Sequence, residues 1–277
     1  MKIRSIVACW FLCGVVASAQ TSASAGTSQG QAPSGSPQAQ AATPSCPELA
    51  RALTTLMQND MRLRDWAALA RYREANRALP APAEGEARVV FMGDSITDLW
   101  QQPRFGGFFP GKPYVDRGIS GQTTPQMLIR FHPDVVDLKP KAVVILAGTN
   151  DIAGNTGPMT DEQIEANLAA MCEIARANGI RVVLASLLPV SAYHVQPNST
   201  AVPQTTARPM ARILALNDWL KKYAAAHGHV YLDYFSAMVD AAGLLQEDLS
   251  ADDLHPNARG YGIMAPLAEA AIERALK

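Results

Sequence analysis

Ser95 follows Gly93-Asp94 at the end of a short apolar run, and His255 stands three residues after Asp252 in Asp252-Asp253-Leu254-His255-Pro256-Asn257. A serine hydroxyl attacks a carbonyl well only when a neighbouring imidazole takes its proton. That imidazole works best when a carboxylate fixes its tautomer. A carboxylate three residues before a histidine in a tight loop can reach the ring. Two further polar segments stand out, Gly118-Ile119-Ser120-Gly121-Gln122-Thr123-Thr124 and Gly148-Thr149-Asn150-Asp151. Each of the four also has a plainer reading. Ser95 with Asp98 fits a capping box, the second segment a glycine-rich turn, and the third an Asn/Asp turn that caps the next segment. Pro256 suits the first turn of a helix with His255 at its mouth. All four lie just after an apolar run or in the closing loop, and that coincidence favours catalysis.

The elements that must position these residues follow from apolar spacing. Short runs rich in β-branched residues lie at 88–92, 141–147, 181–187 and 229–233, with a weaker one at 114–117. Helical patterns separate them at 125–138, 161–178, 208–227 and 257–276. Strands alternating with helices require crossover connections and a parallel sheet covered on both faces. The expectation is an α/β fold, a three-layer α/β/α sandwich with a mostly parallel five-stranded sheet. Ligands in such sheets bind outside the carboxyl ends of the strands, which is where the four segments fall.

The ordered set resembles the GDSL, or SGNH, hydrolase family from about Arg88 to the end. Gly93-Asp94-Ser95 looks like its nucleophile block, Gly121 matches the glycine of the second block, Gly148-Thr149-Asn150-Asp151 the GxND block, and Asp252-x-x-His255 the DxxH block. Two positions depart from the pattern: Ile96 stands where leucine is frequent, and Gln122 where an acidic residue often follows the glycine. The resemblance implies a flavodoxin-like SGNH fold, a water-deacylated acyl-enzyme on Ser95, and no metal or other cofactor. His255 would act as base and acid with Asp252 behind it. The backbone N–H groups of Ser95 and Gly121, with the Asn150 side chain, would form the oxyanion hole. The implied partner is a small-molecule acyl ester, an acetylated sugar or a lysophospholipid.

The rest of the 277-residue chain narrows the alternatives. A formal net charge of −1 offers no footprint for nucleic acid. Lys2 and Arg4, the apolar stretch 6–17 and Ala17-Ser18-Ala19 read as a secretory signal over 1–19, too short to span a bilayer as an integral membrane segment. Removing it takes the net charge to −3 and points to a secreted or periplasmic protein. Residues 20–47, nearly all Ser, Ala, Gln, Gly, Pro and Thr, read as a disordered linker. Residues 48–277 form the hydrolase domain, with a helical extension over 48–82 and the catalytic core over 88–277. Leu49, Leu53, Leu56, Met57, Leu63, Trp66, Leu69 and Tyr72 recur at helical spacing, which predicts a packed core stripe. Cys46 and Cys172 are either one disulfide or two buried thiols. The long loop 189–209 leaves the active edge of the sheet, and Tyr193 and His194 at its start are expected to line the acyl or alcohol pocket. Phe105, Phe108 and Phe109 form either a second wall or plain packing, while His132, His227 and His229 read as structural or surface residues. Two rival functions are a non-catalytic carbohydrate- or ester-binding module and a metal-dependent hydrolase built on Asp252, Asp253 and His255.

Overall fold

A computed structural model describes residues 45–277; the signal segment and the linker up to residue 44 lie outside the described residues. At the start of this range, Ser45 donates through its backbone N–H and its hydroxyl to the Glu48 carboxylate. The residues from Ala50 onward form one compact unit. In chain order the helices are α1 (Cys46–Arg64), α2 (Arg73–Ala78), α3 (Ser95–Asp98), α4 (Thr124–Asp134), α5 (Thr149–Ile152), α6 (Asp161–Ala177), α7 (Gln204–Ala207), α8 (Met210–His227), α9 (Phe235–Met238) and α10 (Ala258–Leu276). The strands are β1 (Val89–Gly93), β2 (Tyr114–Gly118), β3 (Ala142–Leu146), β4 (Arg181–Ala185) and β5 (Val230–Leu232).

All five strands pair in parallel, in the order β2-β1-β3-β4-β5. Every residue of β1 and β3 is buried, as a sheet covered on both faces requires. Alternate side chains divide between two cores. Val90, Met92, Val143, Ile145, Val182 and Leu184 pack with α4, α6 and α8 residues such as Phe131, Leu168 and Leu216. Val89, Phe91, Val144, Leu146 and Val183 pack on the other face with Met264, Ala268 and Ile272 of α10. The strand period of two thus builds the three layers directly.

The chain switches from strand to helix within two residues at the end of β1, and this switch sets the depth of Ser95. Gly93 pairs with Gly118 on the neighbouring strand. A β-carbon on Gly118 would sit 2.1 Å from the backbone nitrogen of Asp98, so α3 lies directly on the end of β2. Ile119 N–H donates to Gly93 O at 3.0 Å and fastens the second loop to the first.

Two expectations need correction. Leu49, Leu53, Leu56, Met57, Leu63, Trp66 and Leu69 are exposed, and only Tyr72 of that stripe is buried. Helical period reports an amphipathic face, whereas burial needs a partner surface, and no described residue covers this one. Cys46 and Cys172 are both free, Cys46 exposed and Cys172 in the α6 core, so neither the disulfide nor a buried pair holds. Burial pushes the Cys172 thiol up to about 12.

Gly118→Ala is expected to force α3 off the sheet edge, because the colliding atoms are backbone. Thermal unfolding should show a loss of at least ~2 kcal/mol, and any activity that depends on Ser95 should fall with it; an unchanged melting curve would contradict the contact.

Candidate active site

Ser95 opens α3 and is 8% exposed. The cap of this short helix is Asp94, whose Oδ1 accepts from Ile96 N–H at 2.9 Å. The capping box expected between Ser95 and Asp98 does not form. Asp98 instead accepts from Ser120, through N–H at 3.1 Å and hydroxyl at 2.6 Å, tying α3 to the second loop. Tyr261 of α10 donates to Ile96 O at 2.8 Å from the opposite side. Ser95 keeps its hydroxyl free of capping duty as a result.

That hydroxyl lies 2.8 Å from Nε2 of His255, and His255 Nδ1 lies 2.6 Å from Oδ2 of Asp252. A carboxylate only accepts, so Nδ1 carries the hydrogen and Nε2 presents its lone pair to the serine. Asp252 is itself held by its loop: Oδ1 accepts from Ser250 hydroxyl at 3.1 Å, Leu254 N–H at 3.2 Å and His255 N–H at 2.8 Å. Burial works against the Asp252 charge, yet the hydrogen bonds from the His255 ring and backbone hold its carboxyl well below the usual range. The loop ends at Asn257, which caps α10 by accepting from Arg259 and Gly260 N–H groups. Pro256 therefore precedes the helix and is not in its first turn.

Gly121 and Asn150 meet across the second and third loops. Asn150 Nδ2 donates to Gln122 O at 3.0 Å, which leaves its second amide hydrogen available. The orientation of this amide is fixed by Arg208, whose Nη2 donates to Asn150 Oδ1 at 3.2 Å while its Nε donates to Thr149 hydroxyl at 3.0 Å. Among the described residues, the backbone N–H groups of Ser95 and Gly121 donate to no protein acceptor. Asp151 accepts from Thr124, through N–H at 2.9 Å and hydroxyl at 2.6 Å, and so locks the third loop to the start of α4. Arg208 escaped the reading of the sequence. It is the single arginine of the long loop 189–209, at its far end, and nothing in its spacing links it to Asn150.

Asp253, with a left-handed φ of 67°, turns its carboxylate away from His255 toward the 189–195 segment. It accepts from Ser191 hydroxyl at 2.6 Å, Tyr193 N–H at 3.0 Å and His194 N–H at 3.0 Å, and it pairs with His194 Nδ1 at 3.0 Å. Tyr193 hydroxyl donates to Asp240 at 2.6 Å. Both loop residues are thus anchored beside the DxxH loop. Among the described residues, no group of three His, Cys, Asp or Glu side chains is arranged to hold a metal ion. Phe109 is buried among Phe91, Trp100, Phe108 and Tyr114, so these rings pack beneath α3. His132 pairs with Asp137 on the surface, and His227 and His229 line a groove formed by residues such as Arg181 and Val230, at the opposite end of the strands.

Two buried carboxylates flank the site. Asp94 is pushed up to about 6 by burial, with its Oδ2 unpartnered among the described residues. Asp116, in β2, is pushed up to about 7, chiefly by burial, although Gly118 N–H donates to it at 2.7 Å.

Comparison with known proteins gives a consistent picture. The model of the GDSL-like Lipase/Acylhydrolase family matches residues 91–263. A candidate acylhydrolase from Bacteroides fragilis NCTC 9343 is 41% identical, with a TM-score of 0.68, over 76% of this chain and 99% of its own. A GDSL-like lipase from Bacteroides thetaiotaomicron VPI-5482 is 40% identical, with a TM-score of 0.67, over the same 76% and 99%. An acetylxylan esterase from Geobacillus stearothermophilus shares the fold at 20% identity, with a TM-score of 0.54, over 67% of this chain and 94% of its own. An uncharacterized lipoprotein of Bacillus subtilis (strain 168) is 37% identical over 79 residues; the match spans 27% of this chain and only 32% of that protein's length.

The buried carboxylates give folding a pH dependence of definite sign. With Asp116 at about 7 in the folded chain and about 3.9 unfolded, the folded state binds more protons between those values, so stability falls as pH rises through that window. Asp116→Asn should remove on the order of 2 kcal/mol of this decline between pH 5 and pH 8. Melting temperatures of the two proteins should diverge as pH rises, the variant being the more stable at pH 8; parallel curves would contradict the assignment.

Proposed function

The chain belongs to the GDSL-like lipase/acylhydrolase family, and from that premise we propose that it is an exported serine hydrolase of carboxylic esters. The observation that carries this reading is the unbroken line from Asp252 through His255 to the Ser95 hydroxyl. Ser95 Oγ attacks the ester carbonyl as His255 Nε2 takes its proton. Asp252, held in its charged form by the loop around it, stabilises the imidazolium that results. The negative charge that develops on the carbonyl oxygen is met by the N–H groups of Ser95 and Gly121 and by the free hydrogen of the Asn150 amide. His255 then returns its proton to the departing alcohol, and water releases the acyl group by the same route in reverse. Arg208 serves by holding the Asn150 amide in the donating orientation.

The proposed organisation is a removable signal over 1–19, a linker over 20–47 whose last two residues lie in α1, and the hydrolase domain over 48–277. A secreted or periplasmic location is consistent with the likeness to a lipoprotein, and no described helix is long and apolar enough to cross a membrane. Tyr193 and His194, on the segment that Asp253 fastens, are proposed to wall the site on the DxxH side.

Hydrolysis of p-nitrophenyl acetate by the purified protein tests this. Ser95→Ala should lower kcat by on the order of 10³-fold or more, and Asn150→Ala by about 10²–10³-fold with a smaller change in KM. Equal turnover by Ser95→Ala would sink the nucleophile assignment.

A further inference from the structure

A cavity of about 550 Å³ opens beside Gly121, lined among others by Asp65, Trp66, Ser120, Asn155 and Thr156. Asp65 and Trp66 belong to the turn between α1 and α2, which precedes the family-matched residues 91–263. Their position follows from two glutamines. Gln122 Nε2, buried, donates to Ala67 O at 2.8 Å, and Gln126 Nε2 donates to Trp66 O at 2.6 Å. Asp65 folds the turn on itself by accepting from Leu69 N–H at 2.7 Å and Ala70 N–H at 2.8 Å. Tyr72, further along, donates to Gly118 O. The turn is therefore pinned to the same loop that carries Gly121, and Ala67 and Tyr72 are buried beside it.

The chemistry of the lining selects its occupant. Trp66 is 42% exposed, an aromatic surface left open at the mouth of a cavity. Around it stand hydroxyls and amides: Asn155 Nδ2 already donates to Gly121 O at 3.1 Å and keeps a second hydrogen, and Thr156 shares a hydrogen bond with Thr123 at 3.1 Å. Among the described residues, Asp65 is the one charged group in the lining, and no lysine or arginine lines it. A phosphate would meet that carboxylate with no compensating cation, and an acyl chain would desolvate the polar groups without replacing their hydrogen bonds. A pyranose suits both features, since its C–H face packs on an aromatic ring and its hydroxyls exchange hydrogen bonds with amides and hydroxyls.

We propose that this cavity is a subsite for the alcohol part of the substrate, that the alcohol is a carbohydrate, and that Trp66 is its stacking platform. The proposal rests on the acyl-ester reading and narrows it to O-acetylated saccharides. Gln122 gains a purpose here: an amide can donate to Ala67 O where a carboxylate could only repel it, so the departure from the family pattern is what seats the turn.

The test compares kcat/KM on an O-acetylated oligosaccharide, on lysophosphatidylcholine and on p-nitrophenyl acetate. In Trp66→Ala, the ratio of acetylated oligosaccharide to p-nitrophenyl acetate should fall about tenfold, and in Trp66→Phe by no more than about threefold. The deacetylated oligosaccharide should inhibit p-nitrophenyl acetate hydrolysis competitively, with an inhibition constant raised about tenfold by Trp66→Ala. Melting curves identify a variant that fails to fold, and Asn155→Ala, which should lower the same ratio, then replaces it. An unchanged ratio in both variants, or a larger loss on lysophosphatidylcholine, overturns the subsite while leaving the esterase reading intact. Absence of turnover on every ester by the wild-type protein overturns both.

Discussion

A close backbone approach, α3 resting on the glycine end of β2, governs the geometry of everything around Ser95. Two adjacent parallel strands end in Gly93 and Gly118, paired in register. Because Gly118 carries no side chain, the amide of Asp98 can lie where a β-carbon would be. The strand-to-helix switch is thereby pressed against its neighbour, and the loops after β1 and β2 share hydrogen bonds through Ile119, Asp98 and Ser120. Ser95 and Gly121 owe their common edge to this contact. A looser crossing would leave the serine on a mobile turn, at a cost in geometry that catalysis does not tolerate.

Charge is distributed around this edge so that similar carboxylates do different work. Asp252 receives hydrogen bonds from a ring and three further groups and stays ionised. Asp94, one residue from the serine, is buried with a single bonded oxygen and is pushed the other way. Asp253 faces away and spends its lone pairs on the 189–195 segment. Arg208 is the counterweight: burial lowers its own charge preference, and Asp94 and Asp252 favour the charge in return. Burial and hydrogen-bond count, rather than residue type, decide which of these groups bears charge.

The layered fold was legible because its signals are periodic and redundant. Apolar runs such as 141–147 and 181–187 could only be buried strands, and the observed β3 and β4 lie within them. Three of the four loop blocks were legible because each follows a strand, and the fourth, Asp252–His255, because it lies in the loop that closes onto the last helix, α10. Contacts that depend on one amide meeting one carbonyl left no trace in spacing. Arg208 to Asn150 spans 58 residues and Gln122 to Ala67 spans 55. The stripe from Leu49 to Leu69 misled for a related reason, since a helix writes its amphipathic face into the sequence but not what covers it. Ser95 and Asp98 fitted a capping box by type, yet Asp94 took the cap and freed Asp98 for Ser120, a competition only the backbone geometry resolves.

The turn over 65–70 is held beside Gly121 by hydrogen bonds that leave Ser95, His255 and Asp252 untouched. Fixing the backbone of a turn costs conformational entropy that its contacts must offset. Here the ordering is supplied by groups the core already exposes: carbonyls of the turn meet Gln122 and Gln126, and Arg117, stacked over Tyr72 at 4.7 Å, also donates to Asn76 at 2.8 Å. Asn76 in turn reaches Asp134 of α4 at 2.7 Å. The buried Arg130 binds both Gln122 and Asp134 and donates to Gly93 O at 3.0 Å. One polar network therefore runs from the extension through α4 to the strand that ends at the serine. Partners in such a network are satisfied together or not at all, so the position of Trp66 beside Gly121 is coupled to the same hydrogen bonds that fix the base of the site.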